Sequence, residues 1–315
     1  NLTILAKARD IIHERHDVEI DFQEIPLDDS KTFHLLASGE TRDIFQLESK
    51  GMRRYLHELR PSKFADISAM VALYRPGPME QIDTFIRAKQ GIVPVRYPHP
   101  ELERILEETY GVIVYQEQVM FIARTLAGYS MGQADIFRKA MGKKIPEVMR
   151  QQEQTFVEGA VRNGIDARLA QEIFGLIEPF AGYAFNKAHS VSYALVAYRG
   201  AYLKANYPIE YLAAYLNTYS DNMDKVCLAW EECRRMGIRI LAPDVNRSYA
   251  GFTIEDTSDG PAIRFGLASV KNVGNGPVES LISARESTEF SSIEDFCRRA
   301  GGRALNKKAL ESLIR

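Results

Sequence analysis

The chain has 315 residues, and its 40 basic against 42 acidic side chains leave a net charge of −2. No global field draws it to nucleic acid, so any such contact must come from local clusters. The length predicts two or three domains, and the lack of any apolar run of about eighteen residues excludes a membrane-spanning helix.

Residues 1–18 carry Leu2, Ile4, Leu5, Ala8, Ile11 and Ile12 at helical spacing. The opening Asn1-Leu2-Thr3 has no apolar stretch of a signal peptide, and together with the close at Leu313-Ile314-Arg315 it has the look of a cut in a longer protein. Asp28, Asp29 or Ser30 offers a cap for a short helix through Phe33, Leu35 and Leu36 that stops at Gly39. Ile44–Arg54 reads as a strand-like or turn entry leading into a helix, with Gln46, Glu48 and Ser49 beside Arg53 and Arg54. A helix over Asp66–Leu73 must end at Tyr74-Arg75-Pro76-Gly77-Pro78, because two prolines around a glycine forbid its continuation. That rigid loop is expected to hold Arg75 exposed.

Glu101–Glu108 is predicted helical, Gly111–Tyr115 is a β-branched run, and Tyr115–Met120 opens a helix running to Gly128-Tyr129-Ser130. Ser130 then caps a helix bearing Ile136, Phe137, Ala140 and Met141 on one apolar face. Arg138 and Lys139 point away from that face, Gly142 ends the pattern, and Lys143 and Lys144 follow. Four cations in seven residues, almost unopposed by acids, make a place for a polyanion; a solvated basic face is the competing reading.

Two more helices fill 146–177, broken at Asn163-Gly164. Phe180–Ser190 is a polar-aromatic loop with Asn186, Lys187 and His189, and a long helix rises from Val191 to Tyr207. His189 next to Ser190 is too close in sequence for a nucleophile pair. Helices over 209–236 give way to short strands within 238–266. Leu267–Ile282 has the form of a helix-hairpin-helix, with Lys271 ahead of Val273-Gly274-Asn275-Gly276 and Pro277 starting the second helix. Glycines there let backbone amides at a helix N-terminus meet a DNA phosphate without reading sequence. Cys227, Cys233 and Cys297 are odd in number and lack ligand spacing, which predicts a reducing, cytoplasmic setting. The fold expected is mainly α: a multi-helix domain, a small β element and a helix-hairpin-helix.

Five motifs in order resemble the C-family bacterial replicative polymerases, the DNA polymerase III α subunits. They are Phe45–Met52, Leu73–Pro78, Tyr115–Met120, Arg138–Lys144 and Phe185–Ser190, with the hairpin at Val273–Gly276 after them. The resemblance implies fingers over 1–230, then a β element and a truncated tandem helix-hairpin-helix over 231–315. It implies that Arg138 and Lys139 take the triphosphate of an incoming dNTP, helped by Lys143, Arg75, Lys187, His189 and Asn186. The family's second arginine is a lysine here, at Lys139, and a serine common in its loop is Ala188. Lys144, Lys271, Gly274, Asn275 and Gly276 are the implied DNA contacts, on template-primer DNA. Mg2+ is implied for the intact enzyme, held by palm aspartates upstream of this chain, so the fragment alone is expected to be inactive. The sliding clamp, clamp loader and other replisome subunits are the implied partners of the intact protein. A non-catalytic helix-hairpin-helix DNA-binding module is the alternative.

Overall fold

The computed structural model describes residues 1–142, 145–181, 183–286, 288–300 and 307–314. Helices dominate, and the one sheet among the described residues has three strands. The chain divides into two compact units, one formed by Pro26–Ala201 and the other by Asn1–Ile25 with Tyr202–Arg315. Helix α1 (Leu2–His16) belongs to the second of these.

The unit over Pro26–Ala201 starts with α2 (Ser30–Ser38), where the Asp29 carboxylate accepts from the Thr32 amide at 2.8 Å. Ser49 caps α3 (Lys50–Leu59) in the same way, through the Met52 amide at 3.2 Å. α4 (Phe64–Leu73) ends just before the Pro76-Gly77-Pro78 run, which cannot continue a helix. After a 3-10 turn at Pro78–Gln81 come α5 (Ile82–Lys89), α6 (Pro100–Leu106), α7 (Gln116–Ala127), α8 (Met131–Gly142), α9 (Pro146–Arg162) and α10 (Ala167–Ala181).

Helices α7 to α10 pack on one another around a single apolar cluster. Its centre is aromatic: Phe137 lies 5.5 Å from Tyr129, 5.9 Å from Phe156 and 6.2 Å from Phe174, ring centre to ring centre. Two of these contacts are edge-on and that with Phe156 is stacked, arrangements that suit the ring quadrupoles and bury large surfaces together. The α7–α9 contact also requires a glycine: a Cβ at Gly159 would fall 2.3 Å from the Ala127 carbonyl oxygen. The run at Gly111–Tyr115 makes no strand of its own; it supports a single parallel bridge between Tyr115 and Phe185. Helix α11 (Lys187–Asn206) starts four residues before the position the sequence suggests, so Lys187 and His189 lie on its first turn rather than in a loop. The boundary between the units falls inside this helix.

In the other unit, α1 packs on α12 (Pro208–Thr218), and α12 on α13 (Met223–Arg235). The sheet has the order β1-β3-β2, with β1 (Arg239–Leu241) parallel to β3 (Gly260–Arg264) and β2 (Thr253–Thr257) antiparallel to it. The Asn217 side chain continues the ladder pattern, donating to the Phe252 carbonyl at 2.6 Å and accepting from its amide at 2.8 Å. The helix expected ahead of Val273 is only a 3-10 turn at Leu267–Ser269. The next helix, α14 (Asn275–Arg285), begins at Asn275 and not at Pro277. With α15 (Ile293–Ala300) and α16 (Lys307–Ile314) it encloses a second core of Leu267, Val273, Val278, Leu281, Phe296 and Ala309.

Candidate nucleotide and nucleic-acid interface

Helix α8 has two sides of different character. Ser130 and Gln133 cap its start reciprocally: the Gln133 side chain accepts from the Ser130 amide at 2.9 Å, and the Ser130 hydroxyl accepts from the Gln133 amide at 3.3 Å. Ala134, Phe137 and Met141, three, four and seven residues apart, are fully buried. Ile136, expected on the same face, is 65% exposed instead. One apolar residue outside the stripe is turned to solvent because the aromatic cluster selects Phe137 as the inward position.

Arg138 flanks the buried stripe, 20% exposed, and Lys139 stands opposite it, 62% exposed; here the structure corrects the expectation of nearly unopposed charge. Asp135 stands three and four residues before them and meets both. Arg138 donates from Nη2 to Asp135 Oδ1 at 2.7 Å and from Nε at 3.2 Å, while Lys139 Nζ lies 2.7 Å from Oδ2. The bonds from Lys139 and Arg138 hold the Asp135 carboxyl below its ordinary range. This spacing was available in the sequence, since side chains three and four apart share a helix face. Lys143 and Lys144 lie outside the described residues.

The remaining expected triphosphate ligands form a separate network. Arg75 is not free on an exposed loop: it is half-buried, donating to the Ala72 carbonyl at 2.8 Å and to the Tyr183 carbonyl, with its guanidinium 4.6 Å above the Phe185 ring. Burial lowers its pKa from the ordinary arginine value. Asn186 caps α11 by accepting from the His189 amide at 2.8 Å and donates to Glu117 at 3.0 Å. The other oxygen of Glu117 accepts the Lys187 amide at 3.0 Å. Lys187 Nζ pairs with Glu108, and its cation lies 5.5 Å from the centre of the Tyr115 ring. Glu108 and Glu117 are not among the expected site residues, and no local spacing reveals their contacts, since they reach Lys187 from 79 and 70 residues away. The His189 ring is exposed and stacks 4.3 Å from Tyr193. Beneath this segment the Ser190 hydroxyl donates to the Ser68 carbonyl at 2.5 Å, and the Ser68 hydroxyl lies 2.9 Å from that of Tyr115. Arg75, Asn186 and Lys187 therefore brace this corner of the fold, and Asn186 and His189 are exposed to solvent.

Lys271, Gly274, Asn275 and Gly276 are exposed together at the start of α14. A Cβ at Gly274 or Gly276 meets nothing within 4 Å, and neither glycine adopts a positive φ. Packing among the described residues thus sets no demand for glycine at either position. The first-turn amides of a helix have no partner inside it, and small residues here let a phosphate approach them closely. Among the described residues no three His, Cys, Asp or Glu side chains converge as ligands for a metal ion. No described helix is long and apolar enough to cross a membrane.

Residues 1–164 match the family model of the bacterial DNA polymerase III alpha subunit finger domain, and residues 237–315 match a helix-hairpin-helix motif. The chain is similar along its full length to the DNA polymerase III subunit alpha of Pseudomonas aeruginosa, at 48% identity over 328 residues covering 28% of that protein. The subunit of Saccharopolyspora erythraea is 49% identical over 322 residues, covering all of this chain and 27% of the relative. That of Escherichia coli K12 is 46% identical over 325 residues, covering 99% of this chain and 28% of the relative. The chain thus spans little more than a quarter of the length of these relatives.

Proposed function

This chain belongs to the family of bacterial DNA polymerase III alpha subunits, and from that premise we propose that it supplies the fingers and helix-hairpin-helix segment of a replicative DNA polymerase. In this reading residues 1–230 act as fingers that receive a deoxynucleoside triphosphate, and 231–315 hold DNA through its backbone. The observation that carries it is the geometry of α8. Its buried side is locked into an aromatic core, its outer side presents the Lys139 ammonium, and the partly covered Arg138 guanidinium stands next to it on the flank. A guanidinium forks onto phosphate oxygens, and a neighbouring ammonium adds a compact charge. Arg138 and Lys139 are the first choice for the triphosphate. His189 is next by exposure, while Arg75, Asn186 and Lys187 support the segment that carries it. Lys143 stays a proposed triphosphate ligand and Lys144 a proposed DNA contact, by resemblance alone. The two-metal chemistry with Mg2+ is expected of palm residues outside this chain, and clamp, clamp loader and replisome contacts are expected of the intact subunit in the cytoplasm.

The test is Arg138→Ala with Lys139→Ala in the polymerase carrying this segment, read by single-turnover incorporation against dNTP concentration. Removing two charge-assisted contacts is expected to weaken apparent dNTP affinity by about 3 kcal/mol, roughly a hundredfold, with circular dichroism unchanged. Unchanged affinity would leave α8 a solvated basic face.

For the hairpin, Gly274→Ala with Gly276→Ala is expected to change thermal stability little, because both sites are open, alanine favours the helix at Gly276, and its poorer N-cap at Gly274 offsets that gain. Affinity for duplex DNA is expected to fall, equally for unrelated sequences, since backbone contacts carry no sequence information. A fluorescence-anisotropy titration of two unrelated duplexes distinguishes this from base reading.

A further inference from the structure

The pairing on α8 leaves a carboxylate where the proposed function needs only cations. Among the described residues, every side-chain hydrogen bond and ion pair of Arg138 and Lys139 ends on Asp135. Each of its oxygens serves one cation: Oδ1 takes Arg138 and Oδ2 takes Lys139. The carboxylate side chain is 35% exposed, that of Lys139 62% and that of Arg138 20%, so solvent and a ligand reach the Lys139 pair freely and the Arg138 pair from one side. Ion pairs of this exposure have small net worth. A phosphate chain that offers several anionic oxygens can therefore displace this contact. A single carboxylate also keeps the two cations side by side while no phosphate is present.

We propose that Asp135 is a built-in counter-ion that competes with phosphate for Arg138 and Lys139, weakening the hold on the incoming triphosphate and on the pyrophosphate that leaves. This inference rests on the reading of α8 as the triphosphate site. When a phosphate chain binds, the guanidinium and ammonium turn from Asp135 to its oxygens. When pyrophosphate departs, the carboxylate takes them back, so the departing anion does not leave two bare cations behind it. Asp135 is a positioning residue, acting only through its two partners. Its effect belongs in ground-state affinity and product release rather than in the bond-making step.

The experiment uses the polymerase that carries this segment, with Asp135→Asn, Asp135→Glu and the Arg138→Ala plus Lys139→Ala pair. Single-turnover incorporation gives the apparent dNTP Kd and the maximal rate, and inhibition by inorganic pyrophosphate gives its Ki. Asparagine keeps the shape and removes the charge. Both constants are expected to tighten about three- to tenfold, the scale of removing one screened unit charge near a polyanion. The maximal single-turnover rate is expected to change less than about twofold, and glutamate, which still reaches both cations, to behave as the wild type. A merely structural residue would change helix content and the maximal rate instead. Unchanged or weaker dNTP and pyrophosphate binding in Asp135→Asn, alongside a strong loss in the double alanine variant, overturns this inference alone. If the double alanine variant binds dNTP like the wild type, the triphosphate site is not on α8 and both readings fall.

Discussion

Phe137→Ala is expected to remove about 3–5 kcal/mol of stability from the unit over Pro26–Ala201, the range for truncating a fully buried aromatic. The ring is completely buried and touches Tyr129, Phe156 and Phe174, so the loss combines transfer free energy with a cavity that three rigid neighbours fill poorly. The readout is a lower urea midpoint together with faster amide exchange across α7–α10. Exchange limited to α8 would show that this helix is not part of the cooperative core. The variant also separates scaffold from site. Phe137 and Arg138 are adjacent, yet the first is expected to act through stability, and the second through dNTP affinity at unchanged helix content.

Glu232→Gln is the second large effect, in the other unit. The Lys204 ammonium is fully buried and lies 2.7 Å from Glu232, whose other oxygen accepts from Arg235 Nε at 3.0 Å. Burial on its own raises the Glu232 carboxyl; the hydrogen bond from Arg235 and the Lys204 charge outweigh it and hold the group down to about 2. Replacing the carboxylate by a neutral amide removes the negative charge 2.7 Å from the buried Lys204 cation, and breaking comparable buried pairs costs about 3–5 kcal/mol. The pH dependence follows from the depressed value. Between pH 2 and 4.5 the unfolded chain binds more protons at this residue than the folded one, so stability rises with pH over that window. The contribution is fully present above about pH 5 and is lost as pH falls towards 2. Urea midpoints measured from pH 2.5 to 6 are expected to show this slope in the wild type and a shallower one in Glu232→Gln. Equal slopes would place the acid sensitivity on other carboxylates.

Much of this fold was legible in local sequence, because helix ends are short-range chemistry. Asp29 and Ser49 cap where the side-chain oxygen is available, Gly39 and Gly128 stop helices in the left-handed region, and Pro76 and Pro78 forbid extension beyond Leu73. The mainly α class, the three short strands and the cations of α8 were within reach of the same rules. So was Asp135, three and four residues before its partners; spacing alone placed it, and counting charges without geometry passed it over.

What the tertiary structure decided is the direction of side chains and the company of charges. Ile136 and Phe137 are equally apolar in sequence, and only the cavity shaped by Phe156 and Phe174 sends one inward and the other to water. Arg75 was expected to be exposed, yet the Tyr183 carbonyl, 108 residues away, takes its guanidinium. Glu108 and Glu117 neutralise and anchor Lys187 and Asn186 from comparable separations. A half-buried cation must find acceptors or lose solvation. Which acceptors are near depends on how distant helices pack, a fact that no local pattern encodes.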